Sequence, residues 1–134
     1  MNHYVTDTHP LVWAMSDDAR LSATAKSAFD ETDAGQAIIT IPPIVIVEMI
    51  YLSEKGRINN DLIDDLLAEI SVPGVSYQLG EFDTSVITSL RQIPRSTVPE
   101  MPDRIIAATA MAMNCSLITR DAAIISSGVV PIIW

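Results

Sequence analysis

The sequence predicts an α/β fold, a three-layer α/β/α sandwich around a mainly parallel central sheet. Short β-branched runs alternate with longer helical patterns along the chain. The clearest of these runs is β-branched and continuous, as in strands buried on both faces. Nearly half of the 134 residues are hydrophobic and few are aromatic, so the core is expected to be aliphatic, and the length fits one domain.

Taken in order, Tyr4 to Thr6 forms a short first strand followed directly by Asp7. His9 and Pro10 open a short apolar helix, Leu11 to Met15, which ends at Ser16-Asp17-Asp18. Leu21 to Glu31 is a second helix with Ser22 as its cap and Leu21, Ala25, Ala28 and Phe29 on one side. Ala37 to Ile41 is the continuous β-branched strand, stopped by Pro42 and Pro43. Ile44 to Lys55 follows with Glu48 as its only polar residue before Ser53; its length, the preceding prolines and Gly56 favour a helix buried nearly all round. A glutamate in the second turn of such a helix is anomalous, because an unpaired buried carboxylate costs several kcal/mol or gives up its charge.

Asn60 to Ile70 is amphipathic, and its acids Asp61, Asp64, Asp65 and Glu69 form a solvated face. Val75 to Leu79 is a strand and Asp83 to Arg91 a capped helix. Arg91 to Pro102 is turn-rich and reads as a loop that delivers the chain to Asp103. Pro102 to Asn114 is an Ala-rich buried helix and Ser116 to Thr119 a short buried strand. About 11 helical residues advance roughly 16 Å, and a four-residue strand returns about 13 Å. Asp103 and Asp121 are therefore expected to be neighbours. Ala122 to Ser126 makes a last turn of helix, and Val129 to Trp134 a closing strand.

In parallel α/β sheets, ligands gather at the carboxyl ends of the strands. Asp7 and Asp121 stand at such ends, while Glu48 and Asp103 begin helices that follow loops on the same edge. Singly, each aspartate has an ordinary explanation as a turn residue, a dipole-stabilising acid or a helix cap. Four unrelated explanations converging on one edge is a weaker account than one site. Two carboxylates about 4.5 Å apart repel by roughly 3 to 4 kcal/mol at an effective dielectric of 20, so such a cluster takes up protons or holds cations. Oxygen-only ligands select Mg²⁺ or Mn²⁺, and such ions activate water against phosphodiesters. The residues thus point to a metal-dependent nuclease.

Composition bounds the alternatives. The net charge of −9 repels phosphates at long range, so affinity for nucleic acid must come from local basic residues, bound cations or a partner. Arg104, with Arg91, Arg95 and Arg120, is positioned by sequence to hold RNA phosphates, against the alternative of surface ion pairing. The lone Cys115 excludes an internal disulfide and a cysteine zinc site. No apolar run reaches transmembrane length and the N-terminus lacks the pattern of a signal peptide, so a cytoplasmic protein is expected.

Four segments carry a resemblance to a known family: VTDTHPLVW at Val5 to Trp13, IVIVEMIYL at Ile44 to Leu52, MPDRIIAATA at Met101 to Ala110 and LITRDAAI at Leu117 to Ile125. Together they resemble the acidic motifs of PIN domains, and the His after Asp-Thr is similar to the VapC toxins of bacterial toxin-antitoxin pairs. The resemblance implies a single PIN-like nuclease domain over residues 1–134 and an endoribonuclease dependent on Mg²⁺ or Mn²⁺. It further implies a homodimer, neutralised by a small VapB-like antitoxin in the active-site groove. It maps metal-ligand roles onto Asp7, Glu48, Asp103 and Asp121, with Thr8 and Thr119 in support. Ala122, Ala123 and Ile124 stand where this variant often carries an aromatic residue.

Other chemistries fit less well. A haloacid-dehalogenase-type phosphotransferase requires a second Asp where His9 stands, and a receiver domain requires a late Lys, whereas none follows Lys55. A metal-free ribonuclease needs two imidazoles, and the chain has only His3 and His9. The remaining alternative is a non-catalytic PIN-like interaction module.

Overall fold

A computed structural model describes residues 1–134. Its centre is a five-stranded sheet in the order β3-β2-β1-β4-β5, with every pairing parallel. In chain order the elements are β1 (Asn2–Thr6), α1 (Thr8–Met15), α2 (Ala23–Asp33), β2 (Ala37–Ile41), α3 (Pro43–Glu54) and α4 (Asp61–Ile70). They continue with β3 (Tyr77–Leu79), α5 (Thr84–Gln92), α6 (Met101–Met113), β4 (Ser116–Ile118), α7 (Ala122–Ser127) and β5 (Ile132–Ile133).

The chain builds β1, β2 and β3 outward in one direction, then crosses back to lay β4 against the free side of β1. Val5 pairs with Thr40 on one side and with Leu117 on the other. This reversal makes the crevice between the carboxyl ends of β1 and β4 the topological switch point, where a parallel sheet offers room for a ligand. Right-handed crossovers put the helices of the outward and return journeys on opposite faces. Accordingly α2 packs on β2 and α6 on β1, while α3 touches both α1 and α6 and bridges the two layers at the edge of the sheet.

The core is aliphatic, as expected: Val5, Ile39, Ile41, Met49, Ile106, Leu117, Ile118 and Ile124 are fully buried. Helix ends follow local chemistry. Ser22 caps α2 by accepting from the Ala25 amide, and Asp83 caps α5 by accepting from Ser85 and Val86. Asn114 ends α6 in the left-handed region (φ 53°), a conformation that its short polar side chain tolerates better than most.

Several expectations differ in detail. The first helix begins at Thr8 rather than Leu11, because Asp7 caps it and Pro10 sits within its first turn without needing a donor. The strands β3 and β5 are shorter than their apolar runs, since both lie at sheet edges with only one partner each. The third helix is not buried nearly all round: Val45 and Met49 are buried, but Val47, Ile50 and Tyr51 face solvent. The physical reason is its place at the edge, where it spans two helical layers instead of lying flat on the sheet. The stretch from Arg91 to Pro102 is less of a free loop than its turn residues suggest, with Ile93 and Val98 fully buried as anchors.

Candidate active site at the sheet switch point

Asp7 follows the last residue of β1, and its amide continues the ladder by donating to the Ile118 carbonyl (2.9 Å). Its carboxylate is fixed from two directions. One oxygen accepts from the Thr8 amide (2.7 Å) as the cap of α1, and the other from the Thr119 hydroxyl (2.7 Å) across 112 residues of chain. Asp7 is only 8% exposed, and burial pushes its carboxyl above the usual range despite the Thr119 and Thr8 donors.

Thr119 is fully buried and joins two acids. While its hydroxyl donates to Asp7, its oxygen accepts from the Asp121 amide (3.0 Å). Asp121 in turn caps α7, accepting from the Ile124 amide (3.0 Å). Thr8, equally buried, donates its hydroxyl to Glu48 Oε1 (2.6 Å). Glu48 is half-buried, and that burial raises its pKa before the Thr8 bond lowers it and the charge of Asp7 raises it further.

Asp103, in the first turn of α6, is the exception. Its carboxylate forms no hydrogen bond, and burial with the charges of Asp121, Asp7, Glu48 and Glu100 pushes its carboxyl up to about 7. All four acids line one cleft of about 360 Å³, with His9, Pro10, Arg120 and Ala122 completing the wall. The chain thus brings Asp7, Glu48, Asp103 and Asp121 together from four separate elements.

No group of three or more His, Cys, Asp or Glu side chains is drawn closely enough together to form a finished cage for a metal ion. A hard, strongly hydrated cation does not require one. Mg²⁺ keeps several of its waters and is commonly held through one or two carboxylates. An all-oxygen donor set, with one carboxylate lacking any partner and driven toward protonation by its neighbours, fits that kind of ion.

Arg104 lies differently from the reading that aimed it at phosphates. Its Nε and one Nη donate to the carbonyls of Ile93 (2.8 Å) and Leu90 (3.0 Å), so it ties the end of α5 to α6. Free carbonyls at a helix C-terminus attract a guanidinium, and sequence position beside Asp103 gave no hint of them. Arg91 and Arg95 are exposed and do not border the cleft. Sequence reading also missed Trp13, a 3% exposed residue of α1 that packs at a tilt against His9 and Trp134 and lies under the guanidinium of Arg120. An aromatic four residues after His9 was the available signal, since i and i+4 share a helix face.

A larger cleft, about 730 Å³, opens elsewhere beside α1, α2 and α4. Leu11, Trp13, Phe29 and Leu66 line it together with Asp30 and Glu69. Its apolar surface and acidic groups suit binding rather than hydrolysis, and it contains none of the four acids.

The chain has recognisable relatives among known proteins. The PIN domain family model matches residues 4–126. Ribonuclease VapC22 of Mycobacterium tuberculosis (strain ATCC 25618 / H37Rv) is 26% identical over 129 residues, covering 90% of this chain and 88% of that protein. The fold is similar to VapBC2 from Rickettsia felis bound to a DNA fragment from their promoter (TM-score 0.71, 17% identity, 97% of this chain and 96% of that one). It is also similar to a toxin-antitoxin complex from Klebsiella pneumoniae (TM-score 0.67, 19% identity, 98% and 96% covered).

Proposed function

We propose that this chain, which belongs to the PIN-domain family, is an endoribonuclease dependent on Mg²⁺ or Mn²⁺ and the toxin of a type II toxin-antitoxin pair. The observation that carries the reading is the cleft in which Asp7, Glu48, Asp103 and Asp121 meet, with the first three all pushed toward protonation. Such a cleft is held ready for positive charge. When bound, the dication supplies an activated water and neutralises charge developing on a phosphodiester. Asp7, Glu48, Asp103 and Asp121 would hold it.

The chain's own residues supply order. Thr119 keeps Asp7 and Asp121 in register by bonding to both, and Thr8 aims Glu48 from the opposite wall. Asp103 has no such clamp, so its carboxyl exchanges a proton with solvent near neutral pH and would give it up in holding a cation. Arg104 acts at one remove, by holding α5 against the helix that carries Asp103.

Partner and assembly follow from surface chemistry. A net charge of −9 and two acid-bearing clefts favour a small basic antitoxin, as do solved relatives described as toxin-antitoxin complexes. The exposed Val47, Ile50 and Tyr51 of α3 favour a homodimer, because apolar side chains clustered on one helix are better buried than solvated. Residues 1–134 act as a single nuclease domain. No helix is long and apolar enough to cross a membrane, which is consistent with a cytoplasmic site of action.

The test is cleavage of a labelled RNA pool by the purified chain. We expect cutting with Mg²⁺ or Mn²⁺, none in EDTA, and none from Asp103→Asn, which should stay folded by circular dichroism. Cutting that survives chelation, or an undiminished Asp103→Asn, overturns the mechanism. A chain that binds no Mn²⁺ by calorimetry and cuts nothing is instead a non-catalytic interaction module.

A further inference from the structure

Arg120 lies between β4 and α7, borders the acidic cleft, and is the only Lys or Arg on its wall. Its guanidinium carbon sits 4.4 Å from the centroid of the Trp13 ring. Four carboxylates share this cleft, yet Arg120 pairs with none of them, for the chain's only ion pairs are Arg20 with Asp18 and Lys26 with Asp30. No protein group accepts a hydrogen bond from it either. The contrast with two other arginines is informative. Arg20 lies against the same ring at 5.0 Å but is bound through two nitrogens to Asp18, and Arg104 donates to backbone carbonyls.

The Trp13 ring is a buried support. It is 3% exposed and wedged between His9 and Trp134, with centroids 5.6 and 6.1 Å away. Stacking on an aromatic face uses the π-surface of a guanidinium and leaves its N–H groups available around the edge. The ring therefore holds Arg120 in place without occupying its donors, and the planar fork of those donors matches two oxygens of a phosphate. An acidic protein that must hold a polyanion has its one unengaged cleft cation here.

We propose that Arg120, braced on Trp13, is the phosphate-binding residue of the cleft and positions an RNA phosphodiester beside the four acids. The proposal rests on the nuclease reading for its substrate class, but its test does not depend on cleavage. Binding of a fluorescent single-stranded RNA is measured by anisotropy over a range of salt, with Ca²⁺ as the cation to suppress cutting, and steady-state cleavage is measured separately with Mg²⁺.

Arg120→Ala is expected to weaken RNA binding about tenfold and to flatten the log–log salt slope by about 0.7, the value for one phosphate contact on a single strand. In cleavage, KM should rise by about the same factor with kcat changed less than about threefold. Arg120→Lys should recover the salt slope but only part of the affinity, since it restores charge without the planar fork. Arg20→Ala, on the same ring but outside the cleft, should leave both measurements unchanged. Arg120 is exposed, so its variants should keep the fold, and a thermal melt checks this.

An unchanged salt slope in Arg120→Ala, or a loss confined to kcat, overturns the proposal. So does a wild-type chain that binds no single-stranded RNA. A parallel arm uses a Glu-rich peptide: a loss on Arg120→Ala seen only with that peptide assigns the residue to a protein carboxylate and also overturns it. If the chain cuts no RNA yet Arg120→Ala still flattens the slope, the nuclease reading fails while this one stands.

Discussion

Asp103 makes the metal-free protein sensitive to pH in an uncommon direction. Its carboxyl is pushed up to about 7 in the folded chain, against an ordinary 3.8 for an aspartate. The folded state thus binds the proton more tightly than the unfolded state between those values. A carboxyl with a raised folded pKa contributes stability that is full below the unfolded pKa and lost as pH rises toward the folded one. From pH 5 to 8 a shift of this size corresponds to about 2.7 kcal/mol, and because the group is only half-buried, solvent screening reduces this to about 1 to 1.5 kcal/mol. For a domain of this length that is a fall in Tm of about 4 to 6 °C. Asp7 and Glu48 are shifted in the same direction and add to it.

The assay is a thermal melt in EDTA at pH 5 and pH 8, repeated with Mg²⁺ and with Asp103→Asn. The substitution removes the titrating group, so the variant should melt higher than wild type at pH 8 without metal and show a flatter pH dependence. Saturating Mg²⁺ should stabilise the wild type by about 2.7 kcal/mol at a hundred times its Kd and the variant by less. A metal-free wild type equally stable at pH 8 and pH 5, or an Asp103→Asn that melts lower at pH 8, refutes the idea that these acids are crowded together without a counter-charge.

Two further outcomes follow from the clamps. Thr119→Val keeps the shape but strips the buried Asp7 carboxylate of a donor and the Asp121 amide of its acceptor; urea denaturation should show a loss of about 2 to 4 kcal/mol, with Thr119→Ser recovering most of it. Arg104→Ala should cost about 1.5 to 3 kcal/mol by the same measurement, through its two bonds to Leu90 and Ile93, and should leave the salt slope of RNA binding untouched, in contrast to Arg120→Ala.

Much of this architecture was legible in the residues because it depends on local pattern. Glu48 stood out against an apolar helix, and the return from Asp103 to Asp121 follows from helix and strand rise alone. What stayed hidden depends on contacts between distant segments. Nothing local in Leu117-Ile118-Thr119 says that the hydroxyl will turn toward Asp7, because that bond exists only once β1 and β4 pair. The outer face of α3 was misjudged for a related reason. An unbroken apolar run fits a buried helix and an edge helix with an uncovered face equally well, and only topology separates them. Arg104 and Arg120 each adjoin an acid in sequence, one after it and one before, yet one turns to helix carbonyls and the other to an indole.

The position of β1 between β2 and β4 also bears on when the site can form during synthesis. As the polypeptide emerges from the ribosome, Asp7 and Glu48 arrive early, but the strand that completes their surroundings, Ser116–Ile118, is made long after both. Until then one flank of β1 is open, and Asp7 lacks the hydroxyl that orients it. The four acids therefore cannot come together until β4 has paired with β1 and Asp121 has followed it, so the order of synthesis alone delays the site behind most of the fold.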